Sequence, residues 1–574
     1  MSPPRDRPPD AASPTASIAA LVDLLDRSKN RFTPEDRTAK HAALRALAGR
    51  SFRDRALLLG FHEALCFLRA YPDDPELLQM VEVALENFGP RVQAPKAGGS
   101  PDAPGPLDET GIARTAIYCP FSYSAARWLS SRFPGGAEID WDDEAEERMG
   151  AILPFLIGLA DEEALVEVGG SYRAWLTAAK GNDTRSDLRW ILDRLEQSPI
   201  EARSRGALYE GRELRIRWRL QDTPASRTLA KLPVPRVFFH RGAMVRYRGP
   251  LSRRLPGPHI PVRRPASKEA EELLDASRAA VAVRYREIHG FNFADPADVV
   301  VADVGRGVQI AWFGLLPEHR LPLRAHYGYA LLKNGVPIGY GDASLLFDWV
   351  EIAFNIFETF RPGESAFVFV RLLAFVYLHF RVRTFHLDRY QIGYNNEEAI
   401  ASGAFWFYYK LGFRPKRPDL LRLSADERRL IARDPTYRSS RKTLAQLCQG
   451  GMVVSVGGGG DPDSRTFDVQ RLGLRALAQA GRNPAGKIAT GVAESLGTAR
   501  WRAWPCGERR AFERMAPVLA LIPDLPDWSL SDRRRLVEII RAKAGPREAD
   551  YLRRMRTHAR LRDCLMRAGV PETP

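Results

Sequence analysis

Trp349-Val-Glu-Ile-Ala-Phe-Asn-Ile-Phe-Glu-Thr359, then Arg361-Pro-Gly-Glu-Ser-Ala366 opening an apolar run that ends at His379-Phe380, then Thr384-Phe-His-Leu-Asp-Arg-Tyr-Gln391: this stretch decides the fold. The first piece reads as an apolar strand and the second as a tight turn. The run Ala366 to Phe380 reads as a helix, and Thr384 to Gln391 as a second strand. A further helix is expected from Glu397 to Leu411, closing on Tyr408-Tyr-Lys-Leu-Gly-Phe413. The apolar run is shorter than the ~18–20 residues a membrane span needs and carries Arg371 near its middle. It is therefore expected to be a buried helix.

Upstream, Ala297 to Asp303, Val308 to Leu315, His326 to Lys333 and Val336 to Ala343 read as strands. The last two join through Asn334-Gly335, which supplies the positive φ of a tight hairpin. A helix from Ser267 to Ile288 precedes them. Residues 265–425 are thus expected to form one α/β domain with a mixed sheet, set between helical regions.

The flanks are simpler. Residues 1–16, rich in proline, read as a disordered tail without the apolar run of a signal peptide. Residues 17–203 carry apolar side chains at three- and four-residue spacing, as in Ile18/Leu21/Val22/Leu25, and read as helical. The Gly/Pro-rich stretch Pro95 to Asp108 marks a loop, and the acidic run Asp142 to Glu147 a solvated helix start. Residues 204–264 are rich in arginine and proline. There Arg215, Arg217 and Arg219 alternate with apolar residues, either as a phosphate-contacting arm or as an edge strand protected by charge. Residues 426–574 read as helical and basic, broken by a glycine linker at 457–460.

At 574 residues the chain is expected to hold several domains. A net charge of +15 permits phosphate-bearing partners, including nucleic acid, without requiring them. Five scattered cysteines fit a reduced, cytoplasmic setting. His62-Glu-Ala-Leu-Cys66 is a near miss of His-Glu-x-x-His and reads as a core helix, with no third ligand in view. No Gly-x-Ser-x-Gly elbow, phosphate-loop lysine, Cys-x-x-Cys pair or dinucleotide fingerprint occurs.

The strand–turn–helix–strand–helix order, with Arg361-Pro-Gly-Glu-Ser-Ala366, Asn396-x-x-Ala399 and Tyr408-Tyr-Lys-Leu-Gly-Phe413, resembles the acyl-CoA-binding half of the GNAT superfamily of N-acyltransferases. Relative to the family turn, Arg361 and Ala366 match, the glycine falls one place early at Gly363, and the fourth position is Glu364. The resemblance implies two parallel strands that splay to admit acetyl-CoA or another acyl-CoA, with the pyrophosphate on the amides of the following helix start. It implies transfer of the acyl group to an amine.

On that resemblance Phe357, Thr359, Arg361, Gly363, Ser365, Ala366 and Asn396 are expected to meet the cofactor. Tyr408 would protonate the leaving thiolate, and Glu358 would be the base, with Glu351 as the alternative. Glu351, Tyr390 and Gln391 would shape the acceptor pocket. A fold of this kind without catalysis, serving as a binding module, is the competing expectation.

Overall fold

The computed structural model describes residues 16–92, 105–142, 144–158, 163, 171–247, 249–457, 467–482 and 485–569. The tail at 1–15, most of the loop at 95–108 and the glycine linker beyond Gly457 lie outside the described residues. The chain is a mixed helix and sheet protein with helices toward both ends. It divides into two units that are each discontinuous in sequence: 1–243 with 275–287 and 334–337, and 244–274 with 288–333 and 338–574.

The first unit begins with four helices, α1 Ile18–Ser28, α2 Pro34–Leu47, α3 Arg55–Ala70 and α4 Pro75–Glu86. Each starts on a polar cap, Ser17, Thr33, Asp54 and Asp74, whose side chain accepts from a first-turn amide. Apolar faces such as Leu21, Val22 and Leu25 of α1 are buried, as the spacing predicts. Two short strands interrupt the region expected to be mostly helical: β1 Ala116–Cys119 and β2 Ala137–Ile139. Both pair with β3 Ile216–Arg219, giving the order β1-β3-β2. The arginine-rich strand is therefore central, and the edge-strand expectation fails because both of its sides are hydrogen-bonded. Trp218 is buried against Phe121, Trp128 and Phe133, while Arg215 reaches Asp142 at 3.2 Å. The 275–287 segment completes this unit: Trp128 Nε1 donates to Asp275 at 2.8 Å, and Ser122 N donates to Glu287 at 2.9 Å.

The second unit carries most of a ten-stranded sheet. Its strands are β4 Val262–Arg263, β5 Ala294–Gly305, β6 Val308–Leu315, β7 Ala325–Lys333, β8 Val336–Leu346, β9 Trp349–Ile352, β10 Asn355–Ile356, β11 Thr384–Leu387, β12 Arg414–Pro415 and β13 Met452–Ser455. The order is β12-β13-β11-β9-β8-β7-β6-β5-β4, with β10 on β8. Asn334 and Gly335 both have positive φ, 51° and 80°, as the hairpin requires. β9 and β11 run parallel, joined by the crossover helix Ser365–Phe380, whereas their outer neighbours β8 and β13 pair antiparallel. Arg371 is tolerated inside this apolar helix because its guanidinium donates to Val304 O at 3.0 Å and Pro258 O at 3.3 Å.

Several sequence boundaries shift. The strand expected to run to Thr359 breaks at Ala353 and ends at Ile356, and Glu358–Phe360 form a 3-10 turn. The second strand stops at Leu387, where Asp388 caps the single turn Arg389–Ile392. The expected helix 397–411 is two, Glu397–Ala401 and Ala404–Lys410, parted by Gly403 at φ 69°. The 267–288 helix ends at Ala282. β13 lies in the region expected to be helical, and it was missed because Met452-Val-Val-Ser455 is too short to show a period.

Glycines allow the close approaches in this sheet. Gly290 and Gly328 meet backbone to backbone, and a Cβ on Gly328 would lie 2.7 Å from Gly290 C. Gly328→Ala is expected to destabilise the second unit by about 1–3 kcal/mol. Gly491→Ala, in a helix with nothing within 4 Å of the new methyl, is expected to be neutral or stabilising. Urea unfolding midpoints compare the two.

Candidate functional site

The register of β8, β9 and β11 sets Ser344, Glu351 and His386 side by side, because Ser344 pairs with Glu351 and Glu351 with His386. With a period of two, Asp342 and Trp349 fall on the same face. His386 Nδ1 donates to Glu351 Oε2 at 3.2 Å, and Arg324 approaches Glu351 Oε1 at 3.5 Å. On β7, His326 Nδ1 lies 2.9 Å from Ser344 Oγ. A polar row therefore crosses the sheet on the face opposite Val350 and Phe385.

The electrostatics of this row divide its two carboxyls. Burial would raise Glu351, but the hydrogen bond and charge of His386, with Arg324 and His326, hold it below the usual range. Asp342 goes the other way: burial, then the neighbouring Glu351 charge, push it up to about 6. His326 is pushed down to about 4 by burial and by the charges of His289 and Arg324, so it is neutral at pH 7. An ionised carboxylate thus stands beside one poised near neutrality, the arrangement that separates electrostatic and proton-accepting roles.

Beyond the Glu351–His386 pair the parallel strands part. Ala353 N turns to Asp342 O at 2.9 Å, and β10 continues along β8. Gly339 and Gly341 allow this crossing, since a Cβ on either would lie 2.3 Å from a carbonyl oxygen of the 353–355 segment. The space between the parted strands is bridged by one side chain. Gln391 Nε2 donates to Phe354 O at 2.7 Å and to the Tyr408 hydroxyl at 2.8 Å, and its Oε1 accepts from Phe354 N at 3.2 Å. Tyr408 is 2% exposed, and burial raises its pKa, so it keeps its proton at neutral pH.

At the start of the crossover helix, the first intrahelical bond runs from Val368 N to Glu364 O at 3.0 Å. The amides of Ser365, Ala366 and Phe367 therefore precede the ladder and are the donors an anion could meet there. Glu364 does not project to solvent. Its carboxylate is buried, accepts from Val245 N at 2.8 Å, pairs with Arg306 at 2.6 Å and lies 3.7 Å from Lys333 Nζ. Arg361 is exposed, pairs with Glu398 and donates to Ile356 O at 3.3 Å.

Of the residues expected from sequence, Glu351, Gln391 and Tyr408 lie at the mouth of the parted strands. Phe357 and Thr359 are buried in and beside the 3-10 turn, and Glu358 is exposed on it, beyond the strand it was expected to end. Tyr390 is 59% exposed. Asn396 caps the Glu397–Ala401 helix, its Oδ1 accepting from Ala399 N at 3.1 Å. Asp342 was missed. The signal available was Gly339-Tyr-Gly341 immediately before it, marking close backbone approach next to a carboxyl on an otherwise apolar strand.

His62 and Cys66 are both buried in α3, where His62 Nε2 meets Thr228 Oγ1 at 2.9 Å. Among the described residues no cluster of three or more histidine, cysteine or acidic side chains could hold a metal, and no helix is long and apolar enough to cross a membrane. Comparison with family models, with curated proteins and with solved structures finds no match.

Proposed function

We propose that the second unit is an acyl-CoA-dependent N-acyltransferase of GNAT type, most simply an acetyltransferase, acting on an amine. The observation that carries this reading is the parallel pair β9 and β11, joined by a helix that opens on Arg361-Pro-Gly-Glu-Ser-Ala366 and parting beside a buried tyrosine. The acyl-CoA would lie in the gap with its pyrophosphate at the amides of Ser365 to Phe367. The Glu364 charge does not oppose it, because Arg306 and Lys333 neutralise that carboxylate inside the fold.

The acceptor amine would approach the polar row. Asp342 would take its proton, Glu351 would stabilise the developing positive charge, and Tyr408 would give a proton to the thiolate as the thioester bond breaks. Asp342 is preferred over Glu358 as the base because Asp342 lies on the sheet beside Glu351, whereas Glu358 sits on an exposed turn.

Isothermal titration with acetyl-CoA tests the reading. Saturable binding by the full chain, lost in Gly363→Glu, is expected. Absence of binding would overturn it in favour of the non-catalytic binding module, a reading that the filling of the gap by Gln391 favours. A nucleic-acid partner rests on exposed arginines of the C-terminal helices, such as Arg510, Arg534 and Arg535, and requires a salt-dependent shift with RNA or DNA.

A further inference from the structure

We infer that Gln391 is an amide latch: it occupies the backbone position that an extended, amide-bearing ligand must take, and its release uncovers Tyr408. The inference rests on the acyl-CoA reading and adds to it a residue that sets affinity and couples ligand entry to the proton donor.

The geometry is specific. A residue facing a strand edge normally finds its N–H and C=O paired with two successive peptide groups of the neighbour. Phe354 has lost that neighbour, because β11 ends at Leu387 while the 353–356 segment has turned toward β8. Its N–H and C=O are nevertheless both satisfied, by the oxygen and nitrogen of one side-chain amide, at 3.2 and 2.7 Å. Gln391 thus reproduces the bonding of a missing strand. The single turn Arg389–Ile392, capped by Asp388 accepting from Tyr390 N at 2.8 Å, aims it there.

Phe354 is 6% exposed, and buried backbone groups are rarely left unpaired. An empty gap therefore calls for such a substitute. The same requirement makes the substitute a competitor. A ligand lying between the strands in extended form, with amides spaced along its chain, can pair with Phe354 only after the glutamine has moved. The apparent affinity is then lowered by the fraction of molecules in which the latch is closed.

A trans secondary amide points its N–H and C=O to opposite sides, so an extended ligand replaces both lost bonds with two amides flanking this point, and ligands without them leave Phe354 unpaired. The latch therefore discriminates by backbone complementarity, as strand addition does. The third bond gives the coupling. Gln391 Nε2 also donates to the Tyr408 hydroxyl, so displacing it frees that oxygen to turn toward whatever fills the gap.

The test compares coenzyme A binding to the wild-type chain, Gln391→Ala and Gln391→Met by isothermal titration. Methionine keeps the length of the side chain and cannot pair with Phe354, so it serves if alanine loosens the fold; melting curves of the free proteins check that. Both variants are expected to bind coenzyme A about tenfold more tightly, the effect of one to two net hydrogen bonds no longer broken on entry. Unchanged or weaker binding by a folded variant, with the wild type binding, overturns the latch while leaving the acyl-CoA reading intact. Failure of all three to bind sinks the acyl-CoA reading and the latch with it.

Discussion

Replacing Glu364 by alanine is expected to destabilise the second unit by about 3–5 kcal/mol. The carboxylate is fully buried between Arg306 at 2.6 Å and Lys333, whose side chain is also fully buried. Removing it deletes the hydrogen bond to Val245 N and leaves a buried ammonium without its counter-charge. Glu364→Gln keeps an acceptor for Val245 and should fall between alanine and wild type.

The deficit depends on pH in a definite direction. Burial lowers Lys333 to about 7 even though Glu364 opposes the shift. Its folded pKa is thus below the unfolded value near 10.4. Folding releases its proton between these limits, so this group's contribution to stability rises with pH through that window, and its penalty is complete below about pH 7. Without Glu364 the folded pKa falls further. The variant's deficit relative to wild type is therefore expected to be larger at pH 6, where the wild-type ammonium is charged beside Glu364, than at pH 9, where Lys333 is neutral in both folded proteins. Denaturant midpoints at both pH values measure this, and a variant as stable as wild type at pH 6.5 would refute the account.

Asp342→Asn is expected to lower kcat by about 10²–10⁴-fold while leaving acetyl-CoA affinity unchanged. In the wild type, kcat/KM should rise as pH passes about 6, where Asp342 becomes ionised, and this limb should vanish in the variant. Stability moves the opposite way. A carboxyl raised in the fold binds its proton more tightly folded than unfolded, so its contribution falls as pH rises from about 4 to 6 and is lost above. The asparagine variant should therefore be more stable than wild type at pH 7, by up to about 3 kcal/mol, and no more stable at pH 4. Loss of activity with gain of stability identifies a strained functional carboxyl. Loss of both would instead mark Asp342 as structural.

The contrast between Asp342 and Glu358 shows how far the sequence could be read. The strand, turn and helix of 349–380 were legible because a short apolar stretch is broken by Arg361-Pro-Gly363 and followed by an apolar run long enough for a helix. The hairpin at Asn334-Gly335 was legible from its positive-φ residues. Glu358 seemed well placed only if the strand continued to Thr359, and nothing local announces that the backbone leaves β9 at Ala353. Gly339-Tyr-Gly341 marks a close approach beside Asp342, but not the perturbation of its carboxyl, which is made by Glu351 and Arg324, remote in sequence until the strands pair. Gln391 was legible as a pocket residue, but its bond to Phe354 requires knowing where β11 ends. Arg215, Arg217 and Arg219 misled for a related reason: alternation is the same for central and edge strands, and only pairing partners tell them apart.

The discontinuity of the first unit has a consequence for how the protein is made. Its last piece is the four-residue hairpin tip 334–337, in which Asn334 donates to Ala70 O at 2.9 Å and Phe238 O at 3.0 Å and accepts from Phe238 N at 2.8 Å. During translation these bonds cannot form until roughly the first 340 residues have left the ribosome, a delay of tens of seconds at typical elongation rates. A fragment cut at residue 243 would lack Asp275, Glu287 and Asn334 alike, so the amino-terminal unit has no contiguous clone.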